Sequence, residues 1–509
     1  DILENSGAQG IIYYPDLERT GRELDKVIYN GLFTTQERMP NALFGFSITY
    51  KQAMRLKELL VNGPIKIHAK IEAEFSTGNL EVISTSIKGN KYPEEEIILI
   101  AHLCHPIACA NDNASGSAGL LELARLFLRL INTSLIKPPS RTLRFVWVPE
   151  FNGTIPFAKK YETQIKKAVC CINLDMIGEH RNKIGNPLII YGAPYSTPSI
   201  LNDMIGYFVK LIANHPKGIA INGSVAPLSY RLKAHDGGSD HSIFLDSYFG
   251  IPSIMLNHDD PYYHSSMDTV EFCDSSEIKR VIGITACTAY VFANLDNDFI
   301  KFLIPIIHES FYNRMGKSLH LLDTLILGEI ENDNNDDDKT KIDEKIILMY
   351  YLINTIIEYE GSVIDSLNKF DLNIGDNEFL KNLKDEKDYW LASQKHRYEK
   401  LMELNYNITS NLEDYNLLYS SQYQKDYEGL ITFRKLVPIV RIPIFQAFIK
   451  KLSYNFFGPI HELLNLLNKG FNVLRICSYL TLQYEQILYP STIQELINYL
   501  EDQKLIKRR

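Results

Sequence analysis

The chain of 509 residues lacks several features, and each absence excludes a class of protein. No apolar run reaches the length of about 18 residues that a membrane-spanning helix needs, so we expect no membrane contact. Positive charge is not in excess, because 53 Lys and Arg stand against 62 Asp and Glu, a formal net charge of −9. Nucleic acid is therefore an unfavoured partner, since general binding to it depends on basic surface.

Paired cysteines and a targeting segment are lacking too. The seven cysteines are an odd number and lie in apolar stretches, which favours reduced thiols and a cytoplasmic location over a disulfide framework. The chain opens at Asp1 without an initiator Met, a basic region or an apolar signal region, which predicts a trimmed start or a fragment. Hydrophobic residues at 45% and charged residues at 23% are an ordinary globular balance.

The pattern along the chain predicts an α/β protein of uneven parts. Short strands around one helix indicate a β-rich lid domain, and a following stretch in which apolar strands alternate with helices indicates a largely parallel sheet. An acidic run at 331–338 has no apolar residue and marks a linker. The predicted divisions are a lid at 1–90, an α/β domain at 91–300, a helix and acidic linker at 301–340, a helical region at 341–450 and a small helical module at 451–509.

Two local predictions concern the lid. Residues 65–71 alternate apolar and polar with period two, which predicts a half-buried strand. The helix before them is expected to use Ser47 or Thr49 as its N-cap, with Leu59 and Leu60 on its apolar face.

Polar residues with metal-binding side chains follow the apolar strands of the α/β domain. In open α/β sheets, functional residues lie outside the carboxyl ends of the strands. A hydrolytic zinc site uses imidazole nitrogens and carboxylate oxygens and a separate carboxylate that removes a proton. Any one of these residues alone could be a helix cap or a loop contact, but the whole set is hard to explain in that way: His102, His105, Asp112, Glu150, Asp175 and His264.

Five motifs in order resemble the M28 zinc aminopeptidase superfamily over about residues 95–295. The first joins His102-Leu-Cys-His105-Pro to Ala-Asn-Asp112-Asn-Ala-Ser-Gly and is similar to a bacterial branch with an aminopeptidase-like domain. The others are Pro-Glu150-Phe-Asn-Gly153, Asn-Leu-Asp175-Met-Ile-Gly, Gly-Ser-Asp240-His241-Ser-Ile-Phe with the later Gly-Ile-Pro252, and Tyr-His264-Ser-Ser-Met-Asp268-Thr. The resemblance implies a mostly parallel, phosphorylase/hydrolase-like core that binds zinc.

The resemblance also implies a role for each matched residue. Asp112 would bridge two metals, Asp175 and a histidine of the His102/His105 pair would complete one, and His264 would bind the other. Glu150 would be the general base. We favour His105 because its motif is typical of the branch, and we keep His102 as a ligand or a contact to one. Asp240, His241 and Asp268 are expected to contact ligands or substrate.

One position departs from the family. Relatives usually carry two adjacent glutamates, the base and then a metal ligand, and alignment on Gly153 puts Phe151 at the ligand position. A phenyl ring cannot bind zinc, so the number of ions, one or two, stays open.

The flanking regions carry weaker resemblances. Residues 1–90 resemble part of a protease-associated insert, and residues 451–509 resemble a winged helix. The last predicted helix carries Gln494, Glu495, Glu501 and Asp502, which favours packing against protein over contact with DNA.

The sequence thus predicts a cytoplasmic zinc aminopeptidase that acts on peptides with a free N-terminus. Two alternatives stay open: a catalytically impaired peptide-binding or regulatory protein, and amide chemistry like that of glutaminyl cyclases. A homo-oligomer stays open as well, and the substrate is not identified.

Overall fold

The computed structural model of the chain describes most of its residues. The described residues are 6–17, 23–31, 43–72, 76–214, 228–331, 339–370, 372, 378–405, 418–426, 430, 439, 442–452 and 457–509. The predicted acidic linker falls largely on residues 332–338, which lie outside this set.

A seven-stranded mixed sheet forms the centre of the molecule. Its order is β3-β5-β4-β6-β9-β7-β8, with parallel pairing from β5 through β4 and β6 to β9 and antiparallel pairing of β3 with β5 and of β9 with β7. The predicted mostly parallel α/β sheet is therefore confirmed. The strands are β1 (Gly10–Tyr13), β2 (Phe44–Ser47), β3 (Ile83–Ile87), β4 (Tyr92–His102), β5 (Arg141–Val148), β6 (Cys170–Leu174), β7 (Leu188–Tyr191), β8 (Tyr230–Lys233), β9 (Ser253–His258), β10 (Tyr423–Lys425) and β11 (Ile506–Arg508).

Helices cover both faces of the sheet, and long helices follow it in the chain. Because both faces are covered, the central strands are continuous apolar runs, and residues 97–101 of β4 are fully buried. The helices are α1 (Tyr50–Val61), α2 (Gly116–Asn132), α3 (Thr154–Lys160), α4 (Glu162–Ile165), α5 (Leu201–Asn214), α6 (His241–Leu245), α7 (Ser275–Asn294), α8 (Ile300–Glu331), α9 (Lys339–Asp365), α10 (Glu378–Asn405), α11 (Pro443–Lys451), α12 (Gly458–Asn468), α13 (Val473–Tyr484) and α14 (Pro490–Asp502).

The N-terminal part contains a small parallel pair and a capped helix. Strands β1 and β2 pair with each other, and the Thr49 hydroxyl accepts a hydrogen bond from the Gln52 backbone N–H at the start of α1. Two local predictions are wrong. Residues 65–71 form no strand, and Leu59 and Leu60 are exposed rather than packed.

Three helices lie within residues 451–509, where the sequence predicts a small helical module. Helices α12, α13 and α14 are followed by β11, which pairs antiparallel with β10. The winged-helix assignment and the five-part division of the chain stay predictions. Among the described residues, no helix is long and apolar enough to cross a bilayer.

Candidate metal centre

Three neighbouring strands deliver polar side chains to one edge of the sheet. His102 is the last residue of β4, Glu150 comes two residues after β5, and Asp175 directly follows β6. Because β4 pairs in parallel with both β5 and β6, their carboxyl ends lie side by side and bring these residues together.

Asp112 lies in an irregular turn before α2, and Asp268 holds this turn in place. The Asp268 carboxylate accepts hydrogen bonds from the backbone N–H groups of Asn111 (2.6 Å) and Asp112 (2.9 Å). The Asn111 side chain donates to Asp260 Oδ2 at 2.8 Å. Asp268 thus positions the turn, and it is not among the residues that line the cavity.

Three imidazole rings converge on the Asp112 carboxylate. His105 Nε2 lies 2.9 Å and His102 Nε2 3.3 Å from Asp112 Oδ1, while His264 Nε2 lies 3.3 Å from Oδ2. His102 Nε2 also lies 3.2 Å from Asp175 Oδ1. Both rings of the His102/His105 alternative therefore reach the same carboxylate, and which of them binds metal stays a prediction.

Burial and the neighbouring polar groups have opposite effects on the pKa values of Asp112 and His102. Burial alone would raise the pKa of Asp112, but the hydrogen bonds from His102, His105 and His264 hold this pKa well below its ordinary value. Burial alone would lower the pKa of His102, but the charges of Asp175 and Glu150 raise it well above the ordinary value.

Glu150 is the carboxyl group of the cluster whose ionisation is disfavoured. Burial is the main reason that its pKa is raised well above the ordinary value, and the charges of Asp240, Asp175 and Asp112 add to this effect while His102 opposes it. Its backbone N–H donates to Cys104 Sγ at 2.9 Å. A carboxyl group whose ionisation is disfavoured in this way suits acid–base chemistry.

Two overlapping groups of side chains have the spacing needed to hold a metal ion. One consists of His102, His105 and Asp112, and the other of His102, Glu150 and Asp175; within each group the ligand atoms lie within 4.8 Å of one another. All five residues and His264 line one cavity of about 410 Å³. The sequence-predicted ligands are thus brought together.

Asp240 and His241 lie behind the cavity. Asp240 Oδ1 accepts the Phe151 backbone N–H at 2.9 Å and the Thr154 hydroxyl. His241 is fully buried, neither ring nitrogen has a hydrogen-bond partner among the described residues, and burial lowers its pKa to about 3. Neither residue is among those that line the cavity.

Strained backbone surrounds the site. Phe151, Met176 and His264 have φ values of 52°, 60° and 54°, in the left-handed region that residues other than glycine rarely adopt. Such conformations cost on the order of 1–3 kcal/mol each and cluster at functional sites. The left-handed backbone conformation of Phe151 changes the direction of the chain directly after Glu150.

The cavity wall is acidic. In addition to the cluster, Asp236, Asp259 and Asp260 line it, and the described lining residues include no Lys or Arg. Met176, Tyr191 and Met255 provide an apolar part of the wall. A positively charged group is therefore better accommodated than a carboxylate.

Tyr29 is a site residue that sequence reasoning missed. Its hydroxyl lies 2.6 Å from His105 Nδ1, and its ring stacks on that of His264 at 4.4 Å between centroids. It is 76 residues from His105, so no local spacing could have indicated the contact. Tyr263 also stacks on His264, at 3.7 Å, and only its adjacency to this histidine offered a signal.

Comparisons with known proteins give a family and several relatives. Residues 82–288 match Peptidase family M28. A "Glutamate carboxypeptidase 2 homolog" from Caenorhabditis briggsae is 28% identical over an alignment of 270 residues. The alignment covers 47% of this chain and 33% of that protein. A Clostridium acetobutylicum protein whose name includes an aminopeptidase-like domain is 29% identical over 122 residues, 23% of this chain and 26% of that protein.

Among solved structures, BSAP, a zinc aminopeptidase from Bacillus subtilis, superposes with a TM-score of 0.38 at 18% identity. The superposition covers 58% of this chain and 66% of that one. The chain spans about a third or less of the length of the curated relatives that it matches.

Proposed function

Residues 82–288 belong to peptidase family M28, and from this premise we propose that the protein is a zinc-dependent aminopeptidase. The observation that carries the proposal is the convergence of three histidine Nε2 atoms on Asp112, beside Glu150 and in an acidic cavity. The family is known by this match; the substrate, the ion count and the residue roles are proposed.

The donor set fits zinc. Two atoms that are each about 2.1 Å from a tetrahedral zinc ion lie about 3.4 Å apart, and the contacts of the histidines with Asp112 and Asp175 measure 2.9–3.3 Å. His102, His105 and Asp112 would hold one ion, with Asp175 within reach of His102, and His264 would bind a second ion beside the other oxygen of Asp112. Bound zinc supplies Lewis acidity, which polarises a carbonyl and lowers the pKa of water.

Glu150 carries the proton in this proposal. Its carboxylate takes a proton from the attacking water and delivers it to the leaving amine of the cleaved peptide bond. The raised pKa supports this role, because burial makes this carboxyl group hold a proton more readily than an exposed glutamate does. Asp175 and Asp112, whose charges raise that pKa, would themselves bind metal.

The charge of the cavity favours an aminopeptidase over a carboxypeptidase. Asp236 and Asp259 line the cavity and suit the α-ammonium group of a free N-terminus. Binding of a C-terminal carboxylate would call for a basic side chain, and the described lining residues include none.

Replacement of Glu150 by Gln tests the proposal. We expect the hydrolysis rate of aminoacyl 4-nitroanilides to fall by about 10²–10⁴-fold, the usual contribution of a positioned acid–base group, while the zinc content stays the same. Glu122→Gln, an exchange at an exposed position on α2, is the matched control and should retain full activity. N-acetylation of the substrate should abolish cleavage by the wild-type protein.

Three outcomes would contradict the proposal. A protein that retains no zinc and cleaves no anilide would support the peptide-binding alternative. Equal cleavage of free and N-acetylated substrates would exclude an aminopeptidase. Cyclisation of Gln-initiated peptides without hydrolysis of anilides would replace peptide hydrolysis by the glutaminyl-cyclase-like alternative.

A further inference from the structure

A short N-terminal segment, residues 26–29, pairs with the loop that carries His264. The Tyr29 N–H donates to the His264 carbonyl at 2.9 Å, and the Ser266 N–H donates to the Val27 carbonyl at 2.9 Å. The Lys26 ammonium group donates to the Pro261 carbonyl at 2.8 Å, and Ile28, which is 1% exposed, forms a β-bridge with Ser265. The segment is therefore fixed directly at the rim of the site.

The Tyr29 side chain contacts two of the three histidines. Its ring covers the His264 ring, and its hydroxyl oxygen reaches His105 Nδ1 at 2.6 Å. The hydroxyl also hydrogen-bonds Cys109, and burial raises the pKa of Tyr29 far above its ordinary value, so the phenol keeps its proton. Burial raises the pKa of the Cys109 thiol to about 11, and the Tyr29 hydrogen bond opposes this rise.

We propose that Tyr29 is a positioning residue that fixes His105 as a metal ligand beside Asp112. Its oxygen accepts the His105 Nδ1–H, which leaves the Nε2 lone pair directed toward Asp112 Oδ1, 2.9 Å away, in the group formed by His102, His105 and Asp112. The inference rests on the proposed function, because it concerns a zinc ion of the same site. It extends that function by giving the N-terminal segment a part in metal binding.

The chemistry of imidazole makes the Tyr29 contact selective. A neutral imidazole carries one proton, so a partner that accepts the Nδ1 proton leaves Nε2 free to bind metal. Such partners of metal-bound histidines typically contribute 10–100-fold to metal affinity. The ion held by His102, His105 and Asp112 would therefore depend on Tyr29.

Replacement of Tyr29 by Phe removes this oxygen and retains the ring on His264. We expect the dissociation constant of the zinc ion that contacts His105 to rise about 10–100-fold, while that of any ion bound without His105 is unchanged. Titration of the metal-free full-length chain with zinc against a chromophoric chelator measures these constants. Cobalt(II) titration should show weaker binding of the ion that contacts His105.

Tyr14→Phe is the matched control, because Tyr14 belongs to the same N-terminal region and packs against Tyr50. It should bind zinc like the wild type. A merely structural role for Tyr29 would lower the melting temperature of the metal-free protein and leave these constants unchanged, which would overturn the inference.

The experiment separates the two proposals. Zinc bound equally well by wild type and Tyr29→Phe, whether as one ion or two, would overturn the role of Tyr29 and leave the proposed peptidase intact. A wild-type protein that binds no zinc would overturn the proposed function, and the inference with it.

Discussion

Single carboxyl groups of this chain lie in surroundings that impose opposite protonation states. Asp112 is held ionised by three imidazoles. Glu462 of α12 is fully buried, and among the described residues its carboxylate accepts hydrogen bonds from Ser196, through the Ser196 N–H at 2.8 Å and the Ser196 hydroxyl. Burial raises the pKa of Glu462 from 4.5 to about 7. The two residues show that the partners around a carboxylate decide its charge more than its depth does.

Glu462 predicts a decline of stability with rising pH. Between about pH 4.5 and 7 the folded protein keeps a proton on Glu462 that the unfolded chain has released, so the free energy of unfolding falls as the pH rises through this window. The shift of about 2.5 pH units corresponds to a loss of about 3 kcal/mol. Glu462→Gln should remove this part of the pH dependence in urea unfolding measured from pH 4.5 to 8.

Glu495→Gln, at an exposed position of α14, is the control and should leave the pH dependence unchanged. If wild type and Glu462→Gln lose stability in parallel over the same range, the ionisation of Glu462 is not the cause.

The sequence allowed prediction of the site residues that follow strands and missed those that arrive from elsewhere. His102, Glu150 and Asp175 were predictable because parallel strands end at the same edge of a sheet. Tyr29 was not, since its contact depends on how residues 26–29 pair with a loop about 235 positions away. The departure at Phe151 was visible in the sequence, but the position of His105 beside Asp112 required the fold.

At the level of elements, helix α12 supports the loop that lines the cavity. The Gly458 N–H, at the start of α12, donates to the Asp236 carbonyl at 2.6 Å. Asp236, Gly237 and Gly238 line the cavity, and the Tyr484 hydroxyl of α13 donates to the His235 carbonyl at 3.0 Å. The C-terminal helices therefore hold one wall of the site.

Gly458→Ala should weaken activity and stability together. A Cβ atom at this position would collide with the Asp236 backbone, so the loop would have to move. Misplacement of about 1 Å near a reacting centre can cost on the order of 10²-fold in rate, and overpacking costs about 1–3 kcal/mol. Anilide hydrolysis and urea unfolding measure the two effects.

Gly361→Ala is the matched control, because a Cβ atom there meets nothing within 4 Å inside helix α9. It should raise the free energy of unfolding by up to about 1 kcal/mol and leave activity unchanged. Equal activity of both variants would show that α12 does not position the loop.

The sequence predicted the elements of the sheet better than those of the lid. The apolar runs of β4, β5, β6, β7 and β9 identified the strands because strands covered on both faces are apolar throughout. The strand predicted from the alternation at 65–71 does not form, because a strand needs a hydrogen-bonding partner. The apolar side chains of this segment are accordingly exposed, Ile67 by 57% and Ile71 by 52%. The predicted resemblance to the M28 family is confirmed over residues 82–288, which match Peptidase family M28.

Across the whole molecule, one hydrophobic core joins the sheet to the C-terminal helices. It extends from Ile97 in β4 to Ile506 in β11. An ion network reinforces this continuity: the partly buried Arg314 guanidinium of α8 binds Glu360 of α9 through two hydrogen bonds of 2.7 and 2.9 Å and also binds Asp203 of α5. The α/β domain and the helical region should therefore unfold as one unit.

The two tryptophans of the chain allow this expectation to be tested. Trp147 lies in β5 of the sheet and Trp390 in α10 of the helical region. Trp390→Phe leaves fluorescence from the sheet alone, and Trp147→Phe leaves that from the helical region alone. We expect the same urea midpoint from both variants, because a shared core makes unfolding cooperative.

Arg314→Met, placed in each single-tryptophan background, distinguishes one unit from two. It would leave the Asp203 and Glu360 carboxylates buried without their guanidinium partner, which costs about 3–5 kcal/mol, and in one cooperative unit both tryptophan signals shift to lower urea by the same amount. Arg125→Met, at a side chain 62% exposed, should shift neither signal. A shift of the Trp390 signal without a shift of the Trp147 signal would mean that the helices unfold separately from the sheet. The loop held by α12 would then lose its support before the sheet that carries the metal ligands unfolds.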